Sequence, residues 1–481
     1  MQKELVILGA GESGVAAALL AKAKGIPVFV SDSSTIAERF RAELTSAGIT
    51  FEEGGHSRDR ILAAAEVIKS PGIPDKVALI KDLDHAGIPV ISDIEFAARY
   101  SKAHIVGITG SNGKTTTTLW IYHILKVAGI DATLSGNVGV SPCRQLADRD
   151  PAVFVMELSS FQLDRMYRTR VNTAVLTNIT PDHLDRYDYK FENYLNSKLR
   201  ILQNQGEGDR FIWWTGDAVM KEHFRPELTP ASKVPFSLGS VEQCSAVQSV
   251  EVQDALTHLG LSNGDDCQLC CKANGGKTSS AIINGDSLHI EFEGKVLDVQ
   301  LDKVALKGRH NLCNAMAASL AALSAGASPE AVAEGLASFE AVEHRLEPCG
   351  EVDGVLFIND SKATNTDSAW YALDSMTRPV VWIAGGTDKG NDYRVLEDLA
   401  RSKVKALICM GVDNSKLIKA FEGVVSTVVS TASLDDAFRA AIENASSGDV
   451  VLLSPACASF DLFKNYEQRG KLFKEKVKEL L

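Results

Sequence analysis

The sequence lacks any apolar run approaching the roughly 18 residues that a membrane-spanning helix requires. The apolar stretch near the N-terminus is only a few residues long and runs into glycines and Glu12, so we expect neither a signal peptide nor membrane insertion. An excess of positive charge is also missing, because the formal net charge is -12. That charge disfavours a general nucleic-acid binder, although backbone N–H groups and a few lysines can still bind a small anionic substrate.

A second CxxC motif to pair with the single one in the chain is absent as well. The chain has nine cysteines, and this odd number in a long sequence argues against a disulfide framework and for a reducing compartment. Only Cys267, Cys270 and Cys271 cluster, and no second CxxC or paired histidine motif lies nearby, so we expect free thiols there rather than zinc. These absences together predict a cytoplasmic protein.

Short runs of Val, Ile and Leu recur along the chain, each followed by a Gly-rich or polar turn and a helical pattern. Strands buried on both faces have this composition, so the pattern predicts an α/β fold with parallel sheets. The runs are Leu5–Leu8, Val28–Val30, Ile105–Ile108, Val153–Met156, Ala174–Leu176, Leu356–Ile358, Val380–Ala384, Ala406–Met410 and Val450–Leu453. We predict three domains, at residues 1–95, 96–341 and 342–481. The segment Ser237–Gly294 is rich in Ser, Asn, Gly and Cys, and is interpreted as a variable excursion or a small β-segment.

The first glycine-rich turn is GAGESG, with glycines at 9, 11 and 14, after which a helix is predicted to begin near Val15. Asp32 ends the next predicted strand. This spacing is typical of a dinucleotide-binding turn, in which the backbone approaches a pyrophosphate and the acid binds a ribose hydroxyl. A glycine-rich turn without any ligand is also common in such folds. A UDP group remains open too, because it is also a pyrophosphate carrying a ribose.

A second glycine-rich loop, with Gly110, Gly113, Lys114 and Thr115, resembles a Walker A phosphate loop between a strand and an amphipathic helix. Its backbone N–H groups can bind phosphates, its lysine can reach the β- and γ-phosphates, and its threonine can hold Mg²⁺. Ile108 stands where the general pattern has its first glycine, so this is a variant loop.

Polar residues follow the next two predicted strands directly. Glu157 follows one strand, and Asp182, His183 and Asp185 follow the other. Ligands of open α/β sheets bind beyond the carboxyl ends of the strands, so Glu157 is well placed to bind Mg²⁺. For His183, a structural role and a ligand role are equally plausible. Lys198 lies in a predicted helix, and by itself it is expected to be an exposed lysine.

Six segments together resemble the Mur ligase family, in the same order and spacing, over nearly the whole chain except Ser237–Gly294. They are GITGSNGKTTTT (107–118), MELSSFQL (156–163), NITPDHLDRY (178–187), LKGRHNLCNAMAA (306–318), EHRLE (343–347) and INDSKATN (358–365). Within the family, GGTDKG (385–390), LLSPACASFDLFKNYEQRG (452–470), SPGI (70–73) and GNVG (136–139) resemble the members that add D-glutamate.

The resemblance implies a Rossmann-like UDP-binding domain, a P-loop ATPase-like central domain and a Rossmann-like C-terminal domain that brings the amino acid. It implies ATP-dependent joining of D-glutamate to UDP-N-acetylmuramoyl-L-alanine through an acyl phosphate, by a monomer. Domain closure about a hinge near Ala341–His344 is expected. Alternatives are another Mur ligase or a folate-polyglutamylating enzyme, a nicotinamide-dependent oxidoreductase using GAGESG, or a non-catalytic ATP-binding regulator.

The resemblance also implies a set of site residues. Two Mg²⁺ ions are expected, one held by Thr115 and Glu157 and the other by His183 and a carbamylated Lys198. ATP is expected to contact Gly110, Ser111, Asn112, Gly113, Lys114, Thr115, Thr116, Asn311, Asn314, Arg345 and Asp360. One of the two asparagines could instead be a helix N-cap. The UDP-sugar is expected at Ser13, Asp32, Ser33, Ser34, Ser70, Gly72 and Asn137, and D-glutamate at Lys362, Thr364, Lys389, Ser459 and Tyr466. Lys389 could instead be a plain loop lysine.

Overall fold

The computed structural model describes residues 4–182, 184–223, 225–239, 279–340, 342–388 and 391–481. The chain divides into two compact units. The first comprises Met1–Ala305 and Asn311–Phe339, and the second comprises Leu306–His310 and Glu340–Leu481. Among the described helices, none has both the length and the apolarity needed to cross a bilayer.

The N-terminal part of the first unit is a five-stranded, fully parallel sheet of order β3-β2-β1-β4-β5. Its central strand has the sequence LVIL and is buried throughout, because helices cover both faces. The strands are β1 (Leu5–Leu8), β2 (Val28–Ser31), β3 (Thr50–Glu52), β4 (Glu66–Lys69) and β5 (Val90–Ile91). The helices are α1 (Glu12–Ala23), α2 (Glu38–Ser46), α3 (Arg58–Leu62), α4 (Ala78–His85) and α5 (Asp93–Ala98).

The central part of the first unit contains a nine-stranded sheet of order β14-β13-β12-β11-β10-β9-β6-β8-β7. Its pairs are parallel from β7 to β12, and the last two pairs are antiparallel. The strands are β6 (His104–Thr109), β7 (Ala132–Gly136), β8 (Val153–Glu157), β9 (Thr173–Leu176), β10 (Arg210–Trp214), β11 (Ser232–Ser237), β12 (Ser280–Asn284), β13 (Ser287–Phe292) and β14 (Lys295–Gln300). Because β6 pairs with both β8 and β9, the loops after these three strands meet at one edge.

The helices of this central part cover the sheet. They are α6 (Lys114–Val127), α7 (Pro142–Asp148), α8 (Ser160–Leu163), α9 (Phe191–Leu199), α10 (Ala218–His223), α11 (Arg309–Ser324) and α12 (Pro329–Ser338). The buried indole of Trp120 on α6 donates to the carbonyl of Gly335 on α12 at 3.1 Å. A Cβ atom at Gly335 would lie 2.7 Å from Ile124, so glycine permits the close approach of these two helices.

The second unit contains a six-stranded sheet of order β15-β16-β20-β17-β18-β19. Only the edge pair β15–β16 is antiparallel. The strands are β15 (Glu347–Val352), β16 (Val355–Asn359), β17 (Val380–Ala384), β18 (Val404–Met410), β19 (Thr427–Thr431) and β20 (Val450–Leu453). The helices are α13 (Thr366–Asp374), α14 (Glu397–Lys403), α15 (Ser415–Phe421), α16 (Leu434–Asn444) and α17 (Tyr466–Leu480).

Every strand predicted from an apolar run is present, with ends that differ by at most two residues. Helix α1 begins at Glu12 rather than near Val15. The segment Ser237–Gly294 supplies the end of β11 and the hairpin of β12 and β13, which agrees with the β-segment interpretation. Cys267, Cys270 and Cys271 lie outside the described residues.

Candidate active site

The phosphate loop lies between β6 and α6 and has two glycines in the left-handed region. Gly110 has a φ of +145° and Gly113 a φ of +80°. A Cβ atom at Gly110 would lie 2.0 Å from Oγ1 of Thr177, and one at Gly113 would lie 2.4 Å from Oδ1 of Asn314. Glycine is therefore required at both positions by the backbone angle and by space.

The segment that follows β9 holds the phosphate loop in place. Asn178 accepts the backbone N–H of Ser111 on its carbonyl oxygen and that of Asn112 on its side-chain oxygen, each at 2.9 Å. The hydroxyl of Ser111 donates to the carbonyl of Thr180 at 2.8 Å and accepts the backbone N–H of Thr180 at 2.9 Å. The loop is thus fixed before any ligand arrives, which lowers the entropy cost of binding phosphates.

Asp217, which is absent from the sequence-based predictions, holds this segment through hydrogen bonds. Its buried carboxylate accepts the backbone N–H of Ile179 at 2.9 Å and that of Met220 at 2.8 Å. It therefore caps α10 and anchors the segment that holds the phosphate loop. The rule that found Glu157, an acid just beyond the carboxyl end of a buried strand, also applies to Asp217 after β10.

Two lysines converge on the carbonyl oxygen of Gly110. Lys114 donates to it at 2.8 Å, and Lys198 donates to it at 2.6 Å. Lys198 is 2% exposed, so the expectation of an exposed lysine is wrong. Helix α9 turns this side chain towards the phosphate loop, and a linear sequence does not reveal that direction.

Burial lowers the pKa of Lys198 well below its usual range, and the nearby charge of Lys114 lowers it further, against the opposing effect of Asp182 and Glu157. A lowered pKa favours the neutral amine over the ammonium. A neutral amine is also the form that reacts with CO₂ to give a carbamate.

Glu157 is the last residue of β8 and is 2% exposed. The side-chain amide of Asn137 donates to its Oε1 at 2.8 Å, and the backbone N–H of Asn137 donates to its carbonyl at 2.9 Å. The sequence assigned these two residues to different ligands, and the structure brings them together.

The described donors suit a magnesium ion. Thr115, at the start of α6, and Glu157 offer a hydroxyl and a carboxylate, and both are buried. Hard oxygen ligands of this kind are those that Mg²⁺ prefers. His183 and Lys389 lie outside the described residues.

Asn311 and Asn314 lie inside helix α11, which begins at Arg309, so the alternative in which one of them caps the helix is wrong. Asn314 is buried, and its side-chain oxygen accepts the hydroxyl of Thr117 at 3.2 Å. Together with its close approach to Gly113, this places Asn314 directly beside the phosphate loop.

The glycine turn after β1 is held by Asp32. One oxygen of Asp32 accepts the backbone N–H of Ala10 at 2.7 Å, and the other accepts that of Ser34 at 2.8 Å. A Cβ atom at Gly14 would lie 1.9 Å from the carbonyl oxygen of Gly9, so glycine allows α1 to start against the turn. These contacts place α1's N-terminus at the carboxyl edge of the sheet, where an anion is favoured.

The other residues assigned to the UDP-sugar lie near this edge. Ser70 directly follows β4, and its hydroxyl is 2.5 Å from the position of a Cβ at Gly9. The carbonyl of Gly72 accepts a hydrogen bond from Arg186 at 3.4 Å, which links this turn to the segment after β9.

Of the serines assigned to the UDP-sugar, Ser33 and Ser34 are exposed. Ser13 hydrogen-bonds to Asp93, whose pKa burial raises to about 6.

In the second unit, Asp360 follows β16 and is buried. Its carboxylate accepts the hydroxyl of Ser454 at 2.8 Å and the backbone N–H of Leu346 at 3.2 Å. Burial raises the pKa of Asp360 to about 7, although the hydrogen bond from Ser454 and the charge of Arg345 act in the opposite direction.

The described candidates for amino-acid binding lie on loops after the strands of this sheet and at the start of α17. The Nζ atom of Lys362 lies 5.2 Å from the ring centroid of Tyr466, a cation–π distance. Thr364 is half-buried, and Ser459 is buried on the loop after β20. Cys457 on that loop is buried, and burial raises the pKa of its thiol to about 11, which disfavours the reactive thiolate.

The fold and this phosphate loop define a class of protein, and three family models of that class match the chain in succession. "Mur ligase MurD-like, N-terminal domain" matches residues 3–92, "Mur ligase middle domain" matches 108–322, and "Mur ligase, glutamate ligase domain" matches 344–457. The chain belongs to the Mur ligase family.

Its curated relatives carry a more specific name. A protein of Porphyromonas gingivalis (strain W83) named UDP-N-acetylmuramoylalanine–D-glutamate ligase is 47% identical, with 100% of this chain and 99% of that protein covered. A protein of the same name from Cytophaga hutchinsonii is 47% identical, with both chains covered completely. One from Bacteroides fragilis (strain ATCC 25285) is 46% identical, with 99% and 100% covered.

Solved structures share the fold. A pseudomurein peptide ligase type C from Methanothermus fervidus has a TM-score of 0.60 at 20% identity, with 99% of this chain and 100% of that chain covered. The MurC UDP-N-acetylmuramate-alanine ligase from Thermotoga maritima has a TM-score of 0.58 at 19% identity, with 99% of each chain covered. These similarities establish the three-domain α/β architecture.

Proposed function

We propose that this protein is an ATP-dependent ligase that joins D-glutamate to UDP-N-acetylmuramoyl-L-alanine in peptidoglycan precursor synthesis. The observation that carries the proposal is the full-length 47% identity to curated ligases of that specificity. The phosphate loop, fixed by the segment after β9, supports an ATP-dependent reaction. We further propose that it works in the cytoplasm as a monomer.

The reaction needs ATP because a carboxylate does not react with an amine at useful rates. ATP transfers its γ-phosphoryl group to the L-alanyl carboxylate, which gives ADP and an acyl phosphate. The amine of D-glutamate then attacks the acyl carbon, and phosphate leaves. The first step requires positioning and charge neutralisation rather than a base, because the carboxylate is already ionised. The Lys114 ammonium now donates to the carbonyls of Gly110 and Ser111. When the phosphates bind, it would donate to phosphate oxygens instead.

Thr115 and Glu157 would hold one magnesium ion, while carbamylated Lys198 and His183 would hold a second. Bound Mg²⁺ supplies neutralising charge for the transferred phosphoryl group. Asn137 orients Glu157 through its side-chain amide, and Asn178 holds the loop that presents the phosphate-binding N–H groups. The backbone of Gly110, Ser111, Asn112, Gly113 and Thr116 completes this site.

The two other substrates bind at the carboxyl edges of the outer sheets. The uridine diphosphate group would occupy the glycine turn after β1, beside Ser13, Asp32, Ser33, Ser34, Ser70 and Gly72, with Asn137 towards the sugar. D-Glutamate would bind the C-terminal domain through Lys362, Thr364, Lys389, Ser459 and Tyr466. Asn311 and Asn314 would approach the adenine, and Arg345 and Asp360 would contact ATP.

Ligands from different domains must meet for this reaction to occur. We therefore place domain borders near residues 95 and 341 and a hinge near Ala341–His344. Small-angle scattering should show compaction when an ATP analogue and both other substrates are added. The attacking amine must lose its proton, and we assign no residue to that step.

The direct experiment is phosphate release by purified protein given ATP, Mg²⁺, UDP-N-acetylmuramoyl-L-alanine and one amino acid at a time. Release with D-glutamate alone supports the proposal, and release with L-lysine or a diamino acid would reassign the specificity. No ADP formation with any amino acid would contradict a ligase. A fluorescence titration with NADH tests the oxidoreductase alternative in the same preparation.

A further inference from the structure

The guanidinium group of Arg469 is buried in the second unit. The residue is 1% exposed and is among the largest fully buried side chains of the described chain. Within the described ranges, no carboxylate oxygen lies within the 4.0 Å of an ion pair with this guanidinium, although Asp461 and Asp360 contribute attraction from further away. A buried arginine without a direct acid partner is unusual, because removing a charge from water costs several kcal/mol.

The donors of Arg469 are used on oxygen atoms of two loops instead. Its Nε donates to the hydroxyl of Ser361 at 3.0 Å, and its Nη2 donates to the carbonyl of Ser361 at 2.8 Å. Nη1 and Nη2 both donate to the carbonyl of Cys457 at 3.3 Å. The planar guanidinium, with donors pointing in fixed directions (a fork), therefore holds the loop after β16 and the loop after β20 in one arrangement. A lysine ammonium lacks this fixed geometry.

A third segment joins the same network. The hydroxyl of Ser361 donates to the carbonyl of Tyr466, the first residue of α17, at 2.8 Å. Arg469 lies on the first turn of that helix. One side chain thus connects three segments, and each carries a candidate for amino-acid binding, namely Lys362, Ser459 and Tyr466.

The guanidinium remains charged under working conditions. Burial lowers the pKa of Arg469 to about 10, which is still well above neutral pH. Its positive potential therefore acts on the loop surface through a medium that screens it less than water does. An amino acid with a second carboxylate gains more from this potential than one with an uncharged side chain.

We propose that Arg469 is a positioning residue for the dicarboxylic amino-acid substrate: it orders the loops of Ser361 and Cys457 and adds its positive charge next to them. This inference rests on the proposed function, since it concerns the site of D-glutamate. Arg469 acts through its neighbours and is not itself a catalytic residue.

The test compares full-length wild type with Arg469→Lys and Arg469→Gln, using Arg401→Gln as the matched control. Arg401 lies on the exposed face of α14 in the same unit and forms an ion pair with a surface aspartate, Asp398. The Michaelis constants for D-glutamate, ATP and the UDP-sugar are measured for each variant, together with kcat and the melting temperature. Wild-type phosphate release with D-glutamate is established first, so a failure of the proposed function is recognised before any variant is compared.

For Arg469→Gln we expect the KM for D-glutamate to rise by roughly tenfold or more, because the charge and the fork are both lost. Arg469→Lys keeps the charge and loses the fork, so we expect an intermediate rise of about threefold. The KM values for ATP and the UDP-sugar should stay within about twofold in every variant, as should all constants of the control.

An unchanged KM for D-glutamate in Arg469→Gln would overturn the proposal. A parallel rise of all three KM values, together with a lower kcat and a lower melting temperature, would also overturn it, because that pattern indicates a purely structural arginine. If Arg469→Gln does not fold, Arg469→Lys decides: a selective rise in the KM for D-glutamate supports the proposal, and wild-type values contradict it.

Discussion

The amine of Lys198 donates a hydrogen bond to the carbonyl oxygen of Gly110 at 2.6 Å, although 88 positions separate the two residues in the sequence. The buried amine thereby lies beside the phosphate loop, within electrostatic reach of Lys114, Glu157 and Asp182. A second buried cation beside Lys114 is unfavourable, and conversion of the amine to a carbamate would replace that repulsion with attraction.

Carbamylation of Lys198 is the first prediction. We expect the intact mass of the native wild-type protein to include one added CO₂, and Lys198→Arg to lack it, because a guanidinium does not form a carbamate. Turnover of Lys198→Arg should fall by at least about a hundredfold, since the variant keeps a positive charge where a metal ligand is needed. An unmodified wild type together with an active Lys198→Arg would contradict the assignment.

The role of Lys114 is tested by alanine substitution. Lys114→Ala should lower kcat by roughly a thousandfold or more, because the side chain that reaches the phosphates is lost while the loop backbone remains. Phosphate release at saturating substrates measures the effect. Lys126→Ala is the matched control on the same helix, since Lys126 is exposed in its last turn, and it should behave as wild type. Comparable rates of phosphate release for the two variants would show that Lys114 takes no part in phosphoryl transfer.

Asp217 is predicted to act on ATP binding through Ile179. Removing its carboxylate in Asp217→Ala leaves two backbone N–H groups without their acceptor, which costs about 1–3 kcal/mol for each buried group. We expect a raised KM for ATP and a lower melting temperature, measured by phosphate release and by calorimetry. The control is Asp148→Ala, at the exposed end of α7. A KM for ATP unchanged from the control would show that the segment after β9 holds its position without Asp217.

Two glycines of the first turn should respond differently to alanine. Gly14→Ala places a Cβ 1.9 Å from the carbonyl oxygen of Gly9, so the turn must shift, and we expect destabilisation of about 1–3 kcal/mol. Gly11→Ala meets no atom within 4 Å, so its melting temperature should match wild type. Thermal unfolding monitored by circular dichroism compares the two. An equal decrease in melting temperature for both variants would mean that the close contact between Gly14 and Gly9 does not determine the structure of this turn.

The pH dependence of stability tests Asp360. Its folded-state pKa of about 7 lies above the value of about 3.9 for an unfolded chain, so the folded state binds more protons between these limits. Stability contributed by this group is therefore complete below about pH 4 and falls as the pH rises to about 7, by up to roughly 4 kcal/mol. Relative to wild type, Asp360→Asn should gain melting temperature across this window.

The control for that experiment is Asp398→Asn, because Asp398 is exposed on α14 and its carboxylate side chain is 87% accessible. Its melting temperature should differ from wild type by a constant amount at every pH. Parallel curves for Asp360→Asn and wild type would show that burial does not shift the titration of Asp360.

The sequence determined the three parallel-sheet blocks and the phosphate loop. Strands buried on both faces require uninterrupted apolar runs, and backbone positions in the left-handed region favour glycine. The sequence also placed Glu157 at a strand end, since the carboxyl edge of a parallel sheet follows from strand order. These features depend on neighbouring residues, so a linear pattern contains them.

The tertiary structure alone decided the environments that arise from distant residues. Lys198 is buried because α9 turns it onto Gly110, and Asp217 matters because it reaches Ile179 across the sheet edge. Arg469 is buried because two loops pack against it at the start of α17. Burial and charge at these positions depend on packing between segments far apart in the chain. No local pattern of residue types specifies that packing.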